Sequence, residues 1–331
     1  MEDHIKEMQI KFSKLLSEID RDTKVVECLC PRKNECSGKI IKAHSIQNNR
    51  ILKKIAYKGV VNQIKGENLI FKQDGSEVGR KIATTFSGFC NYHDNELFKP
   101  IELKNYDPNN KEQEFFFAYR ALAMELNLKK IAENRYKKMA EVFGQNQFFT
   151  NILHGTKLTI NELTERNDLF HEAILNKNFE LISTKTIELD KEYLIAVSSI
   201  FAIEYDFKGN IINDFSELVK NNNNKMKIIF LTIFPQENKT FVLLSYLKEN
   251  ASTFEFLDEQ LLKIDKTTII KRLNLLIANY CENVVYSPKN WQKINKNEKQ
   301  ELIKTFSKEL NFNELKKPQD LVESPRFNLF F

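Results

Sequence analysis

The chain has 331 residues, of which 42% are hydrophobic and 29% are charged; this composition excludes a disordered chain and predicts about two globular domains. The formal net charge of +5 is the small difference between 50 basic and 45 acidic residues, which permits a nucleic-acid partner but does not require one. No apolar run reaches the roughly 18 residues of a membrane span, and the N-terminus lacks the apolar core of a signal peptide, so we expect a cytoplasmic protein without a membrane partner.

Hydrophobic spacing in the N-terminal segment alternates between helical and strand-like patterns. Helical periodicity predicts helices over residues 4–20, 48–57 and 91–98. Strand-like patterns predict strands over residues 39–44, 60–71 and 81–86, with a glycine-containing turn over 72–79. A proline and polar residues between cysteines predict a tight knuckle over residues 25–36. Together these elements predict a small module over residues 1–104.

The remainder of the chain divides into a helical part and a sheet-forming part. Amphipathic spacing predicts helices over residues 113–145, 161–176, 257–264, 267–283 and 296–310. β-branched and aromatic residues predict strands over residues 179–189, 193–205, 226–233 and 240–247, with a hairpin loop over 235–239. We therefore predict an α+β protein, with a helical connector over residues 105–178 and an α+β domain over residues 179–331 whose sheet is mostly antiparallel.

Metal-binding residue types are concentrated near the N-terminus, where the chain reads Cys28-x-Cys30, Cys36 and Cys90-x-x-His93. Two close pairs of cysteine and histidine are what a tetrahedral structural zinc site requires, and a reducing cytosol favours metal over a disulfide. Cys90 and His93 form one pair. The other pair is Cys30 with Cys36, or Cys28 with Cys30, and the spacing leaves this choice open.

The residues between and after these pairs add a second pattern. Ala43-His-Ser-Ile46 ends a predicted strand, and Phe89-Cys-Asn-Tyr-His-Asp94 opens a predicted helix. Together with the cysteines, these motifs resemble the HNH, or ββα-metal, nuclease superfamily, which is built on a zinc-stapled treble clef. The resemblance covers residues 28–102 and implies a zinc-stapled ββα module at the N-terminus.

The resemblance implies a metal-dependent endonuclease that hydrolyses phosphodiester bonds, in DNA more than in RNA. It implies that His44 is the general base that activates water and that Asp94 binds a catalytic Mg²⁺ or Mn²⁺ ion, with Glu96 or Glu102 as a further carboxylate. Four basic residues would contact the flanking phosphates: Lys42, Arg50, Lys53 and Lys54. By analogy, such a nuclease joined to an unrelated domain suits bacterial defence against phage or plasmids.

A second interpretation is a protein without catalytic activity. Ala43 stands where many HNH members have a metal-binding aspartate, and His93 and Asp94 also depart from the family pattern. The module would then be a zinc-stabilised scaffold that binds nucleic acid or protein, and the C-terminal domain would regulate, sense or assemble. The apolar residues 327–331 are predicted to dock within the chain or on a second subunit, and the basic helix face over 129–138 is predicted to face solvent.

Overall fold

The computed structural model of the protein describes residues 2–63, 76–215, 225–308 and 316–331, with side chains described for residues 11–63, 76–215, 225–307 and 316–331. Its helices are α1 (Glu2–Asp22), α2 (Lys53–Ile55), α3 (Asn91–Leu97), α4 (Lys99–Glu102), α5 (Lys111–Phe143), α6 (Gln147–Asn176), α7 (Lys266–Tyr280), α8 (Pro288–Lys293), α9 (Lys296–Lys308) and α10 (Gln319–Val322). Its strands are β1 (Ile40–His44), β2 (Val60–Gln63), β3 (Ser76–Gly79), β4 (Thr85–Cys90), β5 (Ile182–Leu189), β6 (Ile195–Ala202), β7 (Ile228–Gln236), β8 (Lys239–Leu247) and β9 (Val284–Tyr286). Helices combined with antiparallel sheets confirm the predicted α+β class.

Seven strands form one antiparallel sheet in the order β3-β2-β9-β6-β7-β8-β5. All residues of the interior strand β7 except its last are buried. Alternate side chains enter opposite faces because a strand has a two-residue period. Ile229 and Leu231 pack in the core that contains α7, whereas Ile228 and Phe230 pack in the core that contains α5. Helices therefore cover both faces at the centre of this sheet.

Strands β1 and β4 form a separate two-stranded antiparallel sheet. The register pairs Ile40 with Cys90 at one end and His44 with Thr85 at the other. This small sheet and the helices after it pack on α5 through contacting aromatic rings: Phe89, Phe98, Phe115, Phe116 and Tyr119. The packing fixes the start of α3 against α5.

The two sheets are interleaved along the chain. Strands β2 and β3 lie between β1 and β4 in sequence, yet β2 pairs with β9 of the large sheet. Two residue pairs form this joint, Asn62 with Tyr286 and Gln63 with Val285. The segment predicted as an N-terminal module thus contributes two strands to the large sheet, and the domain boundaries stay a prediction.

The segment between β2 and β4 differs from the prediction. The predicted turn over 72–79 contains strand β3, and the predicted strand over 81–86 is a turn followed by β4. The turn forms because the N–H groups of Ile82 and Ala83 both donate to the Gly79 carbonyl, at 2.9 and 3.0 Å. Ala83 is buried beside this turn, whereas the Ile82 side chain is 58% exposed. The two hydrophobic residues therefore do not mark a strand.

Two elements in the C-terminal part also differ. Helix α6 begins well before the predicted residue 161, because the Asn146 side chain caps it by accepting a hydrogen bond from the Phe149 N–H at 3.1 Å. Strand β9 follows the end of the predicted helix 267–283, and three residues are too few to give a periodicity of their own.

Other predicted elements are shorter, or fall partly outside the described residues. The helix predicted over 257–264 is a single turn, Asp258–Leu262. Parts of three predicted elements lie outside the described residues: 64–71 of a strand, 72–75 of a turn and 309–310 of the last helix.

The basic face of α5, over residues 129–138, forms ion pairs with acidic side chains of the same chain. Each of its cationic side chains forms an ion pair: Lys129 with Glu125, Lys130 with Glu27, Arg135 with Asp20, Lys137 with Glu133 and Lys138 with Glu141. Ion pairs near the surface contribute little to stability, but these pairs neutralise the charge that a phosphate backbone would contact. This face is therefore a poor nucleic-acid surface.

The C-terminal end docks within the chain. Phe327, Leu329 and Phe330 are buried in the core that contains α7. The Asn274 side chain of α7 donates to the Asn328 side chain at 3.0 Å. This agrees with the first of the two alternatives predicted for residues 327–331, and self-association stays a prediction.

Candidate metal centre and the adjoining His44 cluster

A short extended segment, residues 25–30, leads into the first metal-type ligands. It runs beside β4, where the Leu29 N–H donates to the Gly88 carbonyl at 2.8 Å. Gly88 permits this close approach, because a Cβ there would lie 2.4 Å from the Phe86 ring and 3.4 Å from Leu29. A 3₁₀ turn, Lys33–Glu35, follows, and the two cysteine-bearing ends of the knuckle lie together beside β4.

Four side chains from the knuckle and from the start of α3 meet. The ligand atoms of Cys28, Cys36, Cys90 and His93 all lie within 4.8 Å of one another. His93 Nδ1 lies 3.2 Å from Cys28 Sγ and 3.3 Å from Cys90 Sγ. In the described part of the chain, this is the one group of three or more such side chains that could hold a metal ion.

The start of α3 favours a negative charge on Cys90. Its Sγ caps the helix by accepting a hydrogen bond from the His93 N–H at 3.5 Å. Burial acts to raise the pKa of the Cys90 thiol, but hydrogen bonds from Ser37 and the His93 backbone outweigh burial and lower that pKa to about 6. Burial raises the pKa of the Cys28 thiol to about 11. The surroundings of Cys90 therefore favour the thiolate that a metal ion binds, and the Cys28 thiol would ionise when a metal ion replaces its proton.

Cys30 lies outside this group. It is fully buried, and burial raises the pKa of its thiol to about 11. The Leu29 carbonyl beside it accepts a hydrogen bond from the Tyr119 hydroxyl at 2.9 Å, which ties this end of the knuckle to α5. The spacing left two pairings open, Cys30 with Cys36 and Cys28 with Cys30. The group instead contains Cys28 and Cys36, without Cys30.

A second group of polar side chains adjoins the metal-type ligands. His44 ends β1, and Asp94 follows His93 in α3. The Arg120 guanidinium of α5 pairs with the Glu102 carboxylate of α4, with 2.5 Å between the nearest nitrogen and oxygen. The charges of Arg120 and Glu102 act on both His44 and Asp94. We name His44, Asp94, Glu102 and Arg120 the His44 cluster.

Burial controls protonation in the His44 cluster. Burial lowers the pKa of His44 below its ordinary value, although a hydrogen bond with the Ala83 backbone opposes the shift. Burial raises the pKa of Asp94, and the Arg120 charge opposes that shift. His44 Nδ1 and Asp94 Oδ1 are buried and have no hydrogen-bond partner among the described residues. Orphaned atoms of this kind indicate an ordered water, an ion or a ligand.

Arg120 was not predicted as a site residue. It is 3% exposed and lies over the Phe98 ring, with 4.0 Å between the guanidinium carbon and the ring centroid. The available signal was one arginine within the otherwise apolar helical stretch 115–124. Of the two carboxylates expected to assist Asp94, Glu102 lies in the cluster, whereas Glu96 pairs with the nearby Lys99 at 2.6 Å.

The backbone that precedes β4 is strained beside His44. Thr84 has a φ of 58°, a left-handed value that a β-branched residue rarely adopts. Its carbonyl accepts hydrogen bonds from the Ser45 N–H at 2.9 Å and the Ser45 hydroxyl at 3.1 Å, and Thr85 pairs with His44 across the ladder. Backbone strain is often found at functional sites. The sequence does not predict this conformation of Thr84, because the residue type alone does not show that a threonine has a positive φ.

The basic residues expected to contact phosphates differ in availability. Lys42 and Lys53 are exposed and Arg50 is half-buried. Lys54 forms an ion pair with Glu192, so its charge is already neutralised. The structure therefore leaves three of the four as candidate phosphate contacts.

Comparison with known proteins returned no match to a protein family, a curated protein or a solved structure. Within the described residues, no helix has the length and apolar character needed to cross a membrane.

Proposed function

We propose that Cys28, Cys36, Cys90 and His93 bind one structural zinc ion. Thiolate and imidazole ligands suit zinc, and four protein ligands are typical of a structural rather than a catalytic site. Zn–S and Zn–N bonds of about 2.3 and 2.1 Å place sulfur and nitrogen roughly 3.5 Å apart in a tetrahedral site. The two Sγ–Nδ1 distances of 3.2 and 3.3 Å support this geometry.

The zinc ion would organise a treble clef. Such a module consists of a ligand-bearing knuckle, a β-hairpin and a helix whose first turn carries the remaining ligands. The knuckle over residues 28–36, the β1–β4 pair and helix α3 occur here in that order. The insertion between β1 and β4 carries β2 and β3 into the large sheet. The order of parts supports the resemblance to HNH nucleases.

The His44 cluster would be the active site of a nuclease that hydrolyses phosphodiester bonds, in DNA in preference to RNA. The observation that carries this proposal is an imidazole and a carboxyl group beside the metal-type ligands, each with a buried atom that has no hydrogen-bond partner among the described residues. His44 would take a proton from water, and the hydroxide would attack phosphorus while the P–O bond to the leaving sugar oxygen breaks. That sugar oxygen would leave with a proton from solvent.

The other three members of the cluster would prepare the phosphate for attack. Asp94 and Glu102 would hold a Mg²⁺ or Mn²⁺ ion, which supplies positive charge to the phosphate. Arg120 orients the Glu102 carboxylate through their ion pair. Lys42, Arg50 and Lys53 would contact phosphates on either side.

A second function, zinc-stabilised binding of nucleic acid or protein without cleavage, is favoured by one observation. Arg120 already places a fixed positive charge beside Glu102 and Asp94. A catalytic cation would need these two carboxylates, and the Arg120 guanidinium would compete with that cation for their negative charge. A role in defence against phage stays a prediction under either function.

A cleavage assay on zinc-loaded protein separates the two functions. Plasmid, linear duplex, single-stranded DNA and RNA are incubated with Mg²⁺ or Mn²⁺ and with wild type, His44→Ala or His154→Ala, an exposed histidine on α6. We expect cleavage by wild type and His154→Ala, and a loss of at least about a hundredfold in His44→Ala with zinc content unchanged. Absence of cleavage by folded, zinc-loaded wild type would favour the binding module, and loss of zinc in His44→Ala would make His44 a structural residue.

A further inference from the structure

The turn that leads into β2 holds a lysine in an unfavourable conformation. The Val60 N–H donates to the Tyr57 carbonyl at 3.1 Å, and the Tyr57 N–H donates back at 2.9 Å. The two central residues, Lys58 and Gly59, have φ values of 49° and 80°. Turns with two left-handed residues favour Asn-Gly or Gly-Gly, and a lysine in this conformation is strained. The strain suggests that the Lys58 side chain has a role outside the turn.

A second lysine meets Lys58 at the same aromatic ring. Lys58 Nζ lies 5.5 Å from the centroid of the Tyr57 ring, and Lys289 Nζ of helix α8 lies 4.4 Å from it. Tyr57 is 36% exposed and both lysines are exposed. The ring therefore holds two ammonium groups from distant parts of the chain at one place on the surface.

An arginine connects this place to the His44 cluster. The Arg80 N–H donates to the Gly59 carbonyl at 3.0 Å. Its guanidinium donates to the Asn48 side chain at 2.7 Å and to the Asn48 carbonyl at 3.2 Å, and its charge acts on His44. We name Tyr57, Lys58, Arg80 and Lys289 the Lys58 surface.

The cations of the Lys58 surface are not neutralised by the protein. Lys58, Arg80 and Lys289 form no ion pair with an acidic side chain in the described ranges, unlike the paired basic face of α5. The nearest acid on the neighbouring strand β3 is Glu77, which is exposed and stands opposite Asn62 in the ladder. Three cations without an acidic partner fit a partner that carries several negative charges.

We propose that the Lys58 surface binds the phosphate backbone of the nucleic acid on which the His44 cluster acts. This rests on the proposed function, which supplies the reason for a backbone to pass His44. Lys58 and Lys289 bind phosphates on one side of the reacting bond, and Arg80 binds the phosphate between them and His44. The contacts are to the backbone, so they confer affinity rather than sequence preference.

The test measures binding without cleavage. Fluorescence anisotropy of labelled single-stranded and duplex oligonucleotides is recorded with zinc-loaded full chain in buffer without added divalent cation, at several salt concentrations. The Lys58→Gly/Lys289→Gln variant is compared with wild type and with Lys263→Gln/Lys271→Gln, which removes two other exposed lysines. Glycine readily adopts the left-handed conformation of this turn, so the Lys58→Gly substitution should not lower the thermal stability of the variant. Lys58→Asn is a second variant, because asparagine also tolerates this conformation.

We expect the Lys58→Gly/Lys289→Gln variant to bind about tenfold or more weakly, with a log–log salt slope smaller by about 2. The control variant should bind nearly as wild type, and Glu77→Gln should bind equally or more tightly. Equal affinity and slope in wild type and the Lys58→Gly/Lys289→Gln variant, or no binding by wild type, would overturn the proposal. If the wild type binds nucleic acid through these lysines but never cleaves it, phosphate binding by the Lys58 surface is supported and the proposed nuclease activity is wrong.

Discussion

The protonation of His44 is set by its surroundings at the end of β1. Burial disfavours the charged ring, and the positive charges of Arg120 and Arg80 act in the same direction. The Ala83 backbone and the Glu102 carboxylate oppose them without reversing the shift. The balance favours the neutral imidazole, which is the form that accepts a proton from water.

Replacing His44 by glutamine should remove one source of acid sensitivity. The folded pKa of His44 is lower than its unfolded pKa, so the unfolded chain binds the proton first as the pH falls. Stability from this residue is therefore complete above about pH 6.5 and is lost as the pH falls through the lowered folded pKa, by at most about 1.4 kcal/mol per pH unit. Urea unfolding across this range should show a steeper loss for wild type than for His44→Gln. Equal pH dependence of the two would contradict the depressed pKa, and His154→Gln serves as the exposed control.

At the scale of residues, the sequence predicts a group of metal-binding residue types, but it does not predict which of Cys28, Cys30 and Cys36 belong to the group. Cys28 and Cys30 are two positions apart and both are buried, so spacing and hydrophobicity treat them alike. The choice is made by tertiary contacts, since the Cys28 Sγ accepts the Cys90 N–H at 3.4 Å. Arg120 escaped prediction for the same reason, because its partner Glu102 lies in another helix.

At the element scale, the β1–β4 pair depends on close contact with the knuckle. Leu29 lies against Gly88, and the Phe86 ring covers the remaining space at that glycine. Phe86 in turn packs edge-on against Phe89, with 5.9 Å between ring centroids. Strand β4, which carries Cys90, is therefore positioned by close contacts that Gly88 permits because it has no side chain.

The substitution Gly88→Ala should lower the free energy of unfolding by about 1–3 kcal/mol, because the new Cβ would overlap a buried ring that cannot move freely. The matched control is Gly155→Ala in helix α6, where a Cβ meets nothing within 4 Å. That change should stabilise by about 0.5–1 kcal/mol, since alanine favours a helix interior. Urea denaturation of both variants measures the difference, and a Gly88→Ala protein as stable as Gly155→Ala would show that the packing described at β4 is wrong.

Element types were predicted well where the pattern was long and poorly where it was short. The long helices α1 and α5 and the strands β5 to β8 carry many periodic residues and were predicted close to their observed positions. Strand β9 and the Asp258–Leu262 turn are too short to show a period. The early start of α6 depends on one capping residue, Asn146.

At the scale of the whole molecule, distant segments of the chain are joined in one sheet. The pairing of β2 with β9 links the insertion after His44 to the C-terminal part of the chain. Local periodicity carries no information on which strands pair over such a distance, so the sequence did not predict this joint. This joint brings together the two parts of the chain that form the Lys58 surface, near the β3 edge of the large sheet.

Deletion of residues 327–331 should destabilise the whole protein. Phe327, Leu329 and Phe330 are each buried, and loss of three such side chains should lower the free energy of unfolding by at least about 4 kcal/mol. The single tryptophan, Trp291, lies in the same core and reports unfolding by fluorescence. Val322→Ala, at a side chain that is 52% exposed, should change stability by less than about 0.5 kcal/mol. An unchanged urea midpoint after the deletion would mean that the tail does not dock in this core.

The metal centre is the feature on which both proposed functions depend, and its ligand set is measured most directly by zinc K-edge X-ray absorption on the purified protein. Zinc content is determined in parallel for Cys28→Ser and Cys30→Ser. We predict bound zinc with three sulfur ligands and one nitrogen ligand, from Cys28, Cys36, Cys90 and His93, retained in Cys30→Ser and lost in Cys28→Ser. An all-sulfur shell, zinc that survives Cys28→Ser but not Cys30→Ser, or purified protein that binds no zinc would contradict the proposed centre.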